Sequence, residues 1–113
     1  MIGIRIHLLA NQGKQNELRQ AVEDLSRRIA MESGCLGCRV FQSTCNKREL
    51  VLIEEWQNLE SIQAHVSFSN MAILAGAGTI LAESIRVYPE QEPKIQAIET
   101  MYKKRFSPKL YKA

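Results

Sequence analysis

Few residues in this chain have side chains suited to chemistry: His7 and His65, a single tryptophan, Trp56, the acidic pair Glu54 and Glu55, and Cys35, Cys38 and Cys45. Only an imidazole titrates near neutral pH without a large environmental shift, so His65 leads as a general base. The plainer reading of His65 is a histidine packed at a helix edge with one hydrogen bond. Trp56 offers a flat wall on which an aromatic ligand stacks, or else simply fills core. Arg86 is able to hold a phenolate or carboxylate, or to form a surface ion pair. Phe41 and His7 complete the candidate binding set through their strand phase.

Other chemistries find less support. Cys35 and Cys38 form one C-x-x-C, but a structural zinc site needs four ligands and no second pair follows. Three steps along a regular strand, the two thiols point to opposite faces with Cα atoms about 10 Å apart, which excludes a disulfide and leaves reduced, structural cysteines. Glu54 and Glu55 also point to opposite sides, so they are no carboxylate pair; either is free to pair with Arg5, Arg39 or Arg86. No phosphate-binding glycine loop, nucleophile elbow or metal-ligand cluster is present. No metal or nucleotide-cofactor site is therefore expected from these motifs.

These side chains need elements to hold them. Ile2, Ile4, Ile6 and Leu8 alternate with Gly3, Arg5, His7 and Leu9, giving a strand over 2–9 with one wholly apolar face. Asn11-Gln12-Gly13 turns the chain into a helix from Gln15 to about Ser33, stopped by Gly34, with Leu18, Ala21, Val22, Leu25 and Ile29 on one stripe. A strand over 35–43 then places Cys38 and Val40 opposite Arg39 and Phe41. Thr44-Cys45-Asn46-Lys47 turns into the strand from Leu50 to Trp56, whose Leu-Val-Leu-Ile run reads as buried on both faces.

Asn58 is suited to cap the next helix, in which Leu59, Ile62 and Val66 share a face with His65 beside them. Ser69 or Asn70 is placed to cap another, which Gly76 and Gly78 weaken. Ile85 and Val87 alternate in a last strand ended by Pro89. The order is β-α-β-β-α-β, an α+β, ferredoxin-like unit with an antiparallel sheet. Its helices cover only one sheet face, leaving His7, Arg39 and Phe41 on the other.

The acidic pair, the tryptophan, the capping Asn58 and the helix reaching Ala64-His65, preceded by Gly34-Cys35-Leu36-Gly37 at a strand entry, together resemble the antibiotic biosynthesis monooxygenase domain family over residues 2–90. The resemblance implies a homodimer in which two sheets close a dimeric α+β barrel, a histidine near the cavity at the position of His65, and oxygenation of electron-rich aromatics by dioxygen without flavin, haem or metal. A haem-degrading branch of the family is implied less, because His65 stands about where that branch has a tryptophan, and 70–82 holds no histidine. Other relatives act on small hydroxy-ketone phosphates or have no known chemistry. An isomerase and a non-catalytic ligand-binding dimer therefore stand as alternatives.

A length of 113 residues suits one domain able to bury its own core. The net charge of +3 divides unevenly: residues 1–93 carry −2 and residues 94–113 carry +5. The first stretch is read as the domain and the second as a basic extension, without the groove-binding motif that nucleic acid would require. Within the extension Ile95, Ile98, Met101 or Tyr102, and Phe106 fall at helical spacing, predicting a helix over 94–106 that packs across a partner subunit. No secretory signal opens the chain and no apolar run is long enough to span a bilayer, so a cytoplasmic location away from membranes is expected.

Overall fold

The computed structural model describes residues 1–90 and 95–112. Four strands, β1 (Ile2–Ala10), β2 (Cys35–Gln42), β3 (Glu49–Trp56) and β4 (Ala82–Pro89), form one sheet in the order β2-β3-β1-β4. All three pairings are antiparallel, with Ile6 opposite Leu52 on one side and Val87 on the other. Helices α1 (Gln15–Ile29), α2 (Leu59–Val66), α3 (Ser69–Leu81) and α4 (Ile95–Lys103) complete the order β1-α1-β2-β3-α2-α3-β4-α4. This is the expected α+β, ferredoxin-like arrangement.

The alternation of β1 sets which sheet face is covered. Ile2, Ile4, Ile6, Leu8 and Ala10 are buried, and they meet Leu18, Val22, Leu25 and Ile29 of α1 in a single core. Each of these valine, leucine and isoleucine side chains contributes about 1.5–3 kcal/mol by leaving water. Arg5, His7 and Leu9 point the other way. On β3 the same rule applies: Leu50 and Leu52 are fully buried while Val51 and Ile53 are half-exposed, so this run is buried on one face of the chain rather than on both.

Several local expectations change. Helix α1 ends at Ile29, four residues before Ser33; Gly34, with φ 84°, instead shapes the turn into β2. A bulge between Cys35 and Gly37 resets the phase of β2, so that Cys35 lies opposite Trp56 and Cys38 opposite Glu54. Opposed residues share a face, hence both thiols pack against the core instead of pointing apart. All three cysteines are free.

Asn58 caps α2 as expected, its side chain accepting the Ser61 backbone N–H at 2.9 Å. Helix α3 starts after Phe68 without a side-chain cap, so neither Ser69 nor Asn70 serves that role. The chain bends by 58° between α2 and α3, and among the described residues no single helix is long and apolar enough to cross a membrane.

The C-terminal segment folds back on its own subunit rather than crossing to another. Helix α4 lies against β4 and α2, burying Ile98 and Tyr102 completely. Tyr111 then pairs in parallel with Ile85, fixed by Ile85 N–H to Leu110 O at 2.9 Å and Lys112 N–H to Ile85 O at 3.0 Å. Gly78 of α3 admits this return, since a Cβ there would stand 2.9 Å from Leu110 Cδ2. The boundary read at residues 93 and 94 lies outside the described residues.

Candidate functional site

A buried polar cluster sits between sheet and helices. β3 sends Glu54 and Trp56 inward, two residues apart on the core face. The Asn58 cap starts α2 so that Ile62, His65 and Val66 form its buried side. The early end of α1 lets Glu32 turn back toward His65, and Asn70 reaches the same carboxylate from the first turn of α3. Tyr102 arrives from α4.

Each carboxylate is held by one oxygen and offers the other to the imidazole. Glu32 accepts the Asn70 side-chain amide through Oε2 at 2.9 Å and places Oε1 2.9 Å from His65 Nδ1. Glu54 accepts Trp56 Nε1–H at 3.0 Å and the Tyr102 hydroxyl at 2.5 Å, both on Oε1. Its Oε2 stands 3.4 Å from His65 Nε2, ion-pair range but long for a hydrogen bond, and neither atom has another partner among the described residues. The His65 ring lies over Trp56 with centroids 4.4 Å apart.

A neutral imidazole carries one N–H and cannot donate to carboxylates at both nitrogens. Only the protonated ring donates at both nitrogens. Burial by itself pulls the His65 pKa down, but the hydrogen bonds and charges of Glu54 and Glu32 outweigh it and the net shift is upward. Tyr102 is held well above the usual phenol range by its burial and by the Glu54 charge. Because the two carboxylates address opposite edges of the ring, they do not converge on one metal ion. No metal-ligating group of three or more occurs among the described residues.

The other sheet face carries a cavity of about 450 Å³ lined in part by His7, Phe41, Val51, Arg86 and Tyr88. His7 meets Tyr88 edge-on at 4.8 Å, and Arg86 donates to the Tyr88 hydroxyl at 3.1 Å. Burial lowers the His7 pKa, and Arg5 and Arg86 add to this against an opposing effect of Glu49. Its Nε2 is buried without a hydrogen-bond partner among the described residues.

The five site residues read from the sequence thus fall on two sides of the sheet. His65 and Trp56 lie behind it, and His7, Phe41 and Arg86 line the open face. Glu54 pairs with none of the arginines considered for it. Glu32, Asn70 and Tyr102 escaped sequence reasoning as site residues. Glu54 carried a usable signal, being a carboxylate in the inward phase set by Leu50, Leu52 and Trp56.

The sequence profile of antibiotic biosynthesis monooxygenases matches residues 1–71. Among solved structures, a candidate monooxygenase of that kind from Deinococcus radiodurans superposes with a TM-score of 0.75 at 20% identity, covering 80% of this chain and 91% of the other. A Bacteroides thetaiotaomicron protein of unknown function, carried as a candidate oxidoreductase, gives 0.73 at 24% identity over 79% and 94%. Pseudomonas aeruginosa protein PA3566 gives 0.74 at 15% over 80% and 92%. No curated protein sequence matches the chain.

Proposed function

The chain belongs to the antibiotic biosynthesis monooxygenase family, and we propose that it is a cofactor-independent monooxygenase for a small electron-rich aromatic, a quinol or polyphenol, with its chemistry at the enclosed polar cluster between sheet and helices. The observation that carries this reading is His65, fully enclosed yet provided with a carboxylate at each ring nitrogen. A histidine placed only to fill space needs one partner; this one is built to take up a proton and keep it.

In the proposed reaction the Glu54–His65–Glu32 set removes a proton from the substrate. The resulting anion donates electrons to dioxygen and forms a C–O bond; at an activated CH₂, one oxygen atom ends as a carbonyl and the other leaves as water. Trp56 and the surrounding apolar residues exclude solvent, and Glu54 holds the phenolic group in line. The open sheet face is covered in this proposal by a second copy, giving a homodimer with His7, Phe41 and Arg86 in its interior.

A second reading, the non-catalytic ligand-binding dimer, draws support from one fact: His65 is only 1% exposed, enclosed between the Trp56 and Tyr102 rings. An oxygen-electrode screen of quinols and polyphenols separates the two. Uptake that falls on the order of a hundredfold in His65→Ala, with the assembly still folded, is the expected result for a positioned base. Uptake indifferent to His65, or ligands that raise the melting temperature without consuming oxygen, would favour the second reading. Turnover restricted to sugar-like phosphates would replace both with an isomerase.

A further inference from the structure

We propose that the C-terminal segment is a displaceable cap, and that the Tyr102 side chain occupies the seat in which a substrate phenol binds. Tyr102 already makes the contacts such a ligand would make. Its hydroxyl donates to Glu54 Oε1 at 2.5 Å, beside the Trp56 N–H, and its ring lies 5.9 Å from that of His65. The seat is completely filled, with Tyr102 at 0% exposure. A para-substituted phenol is thus the chemical class whose shape and hydrogen bond match the seat that Tyr102 fills.

The occupant belongs to an added segment. Helix α4 lies beyond the residues that the family profile matches. The similar structures are covered over 91–94% of their own length while a fifth of this chain stays without counterpart.

Its backbone is tied to the sheet at one bridge rather than along a ladder. β1 is held by ladders along both edges, whereas the tail meets the sheet backbone at the bridge at Ile85 and otherwise packs through Ile98, Phe106, Leu110 and Tyr111, with a bond from Arg105 Nη1 to Val66 O at 2.8 Å. A segment tied to the sheet at one point can open locally without breaking a strand ladder. An incoming phenol that gives its O–H to Glu54 restores the hydrogen bond lost when Tyr102 leaves, so the exchange leaves no buried carboxylate oxygen unpaired.

The proposal takes its ligand class from the oxygenase reading of the same cluster, but its test does not need turnover. The probe is 4-methylphenol, the side chain of tyrosine as a free molecule, with toluene as the control lacking the hydroxyl. On the full-length protein, saturating 4-methylphenol is expected to speed amide hydrogen exchange in 95–112 while leaving β1 and β3 unchanged. Tyr102→Ala is expected to bind it about tenfold or more tightly than the wild type, and toluene about tenfold less well than 4-methylphenol, since only the phenol satisfies Glu54.

Absence of binding, binding with unchanged or slower exchange in α4, or equal binding of toluene would overturn the cap. The exchange measurement stands on the wild type alone should Tyr102→Ala fail to fold. Phenols that bind and release α4 without oxygen uptake would sink the oxygenase reading and keep the cap. Oxygen uptake with α4 undisturbed would do the reverse.

Discussion

His65 Nδ1 and Glu32 Oε1 meet at 2.9 Å although they are 33 residues apart, because α1 stops at Ile29 and the turn that follows faces Glu32 inward. The contact fixes how the pair responds to pH. With its folded pKa raised, His65 contributes stability that is fully present below the unfolded value of about 6.5 and is lost as pH rises through the folded value. Glu32→Gln removes a group that raises the shift. An NMR titration of the His65 ring should then show a lower midpoint than in the wild type, and urea unfolding should lose less stability between neutral and alkaline pH; an unmoved midpoint would contradict this account.

Glu54 tests the other nitrogen. Glu54→Ala leaves the Trp56 N–H and Tyr102 O–H without an acceptor in the core and should cost about 3–5 kcal/mol, as breaking buried charged networks does. Glu54→Gln keeps an oxygen for both donors and should cost clearly less, measurable as denaturation midpoints of the two variants side by side. Equal costs would mean that the two donors do not depend on Glu54.

Two glycines have positive φ and differ in their surroundings. A Cβ at Gly13 meets nothing within 4 Å, whereas one at Gly34 would lie 1.9 Å from Ser61 Oγ and 2.5 Å from its Cβ. Gly13→Ala should cost about 1 kcal/mol from backbone strain alone. Gly34→Ala should cost more and disturb α2, since Ser61 donates its backbone N–H and hydroxyl to the capping Asn58 side chain. Thermal melts of both variants decide it, with equal shifts contradicting the crowding at Ser61.

The proposed homodimer depends on the open face. Phe41 is 46% exposed there in the single chain. Sedimentation at micromolar concentration should give a dimer for the wild type and a monomer for Phe41→Asp, which would place an unpaired carboxylate in the interface. A wild-type monomer would remove the enclosed face from the functional account and leave the cluster at His65 untouched.

The alternation of β1 and the apolar face of α2 made the sheet and its covered side readable from residue order and put His65 beside the apolar stripe, because period and burial are local properties. Glu32 was not readable. Its role depends on where α1 ends, which the apolar stripe does not specify, and on a turn through Gly34. Tyr102 was visible as an apolar helix position, but its hydroxyl contact with Glu54 exists only because the tail folds back along β4. The bulge at Leu36 hid the common direction of Cys35 and Cys38, since the extra residue breaks the two-residue period from which directions are counted.

That bulge bears on how the protein survives its own proposed chemistry. Burial, with the charges of Glu54 and Glu32 close by, pushes the Cys35 and Cys38 thiols up, so both remain protonated at neutral pH. Peroxide attacks the thiolate, not the thiol. Were dioxygen handled at the neighbouring cluster as proposed, two protonated cysteines would resist oxidation there, whereas Cys45 is exposed in the turn before β3.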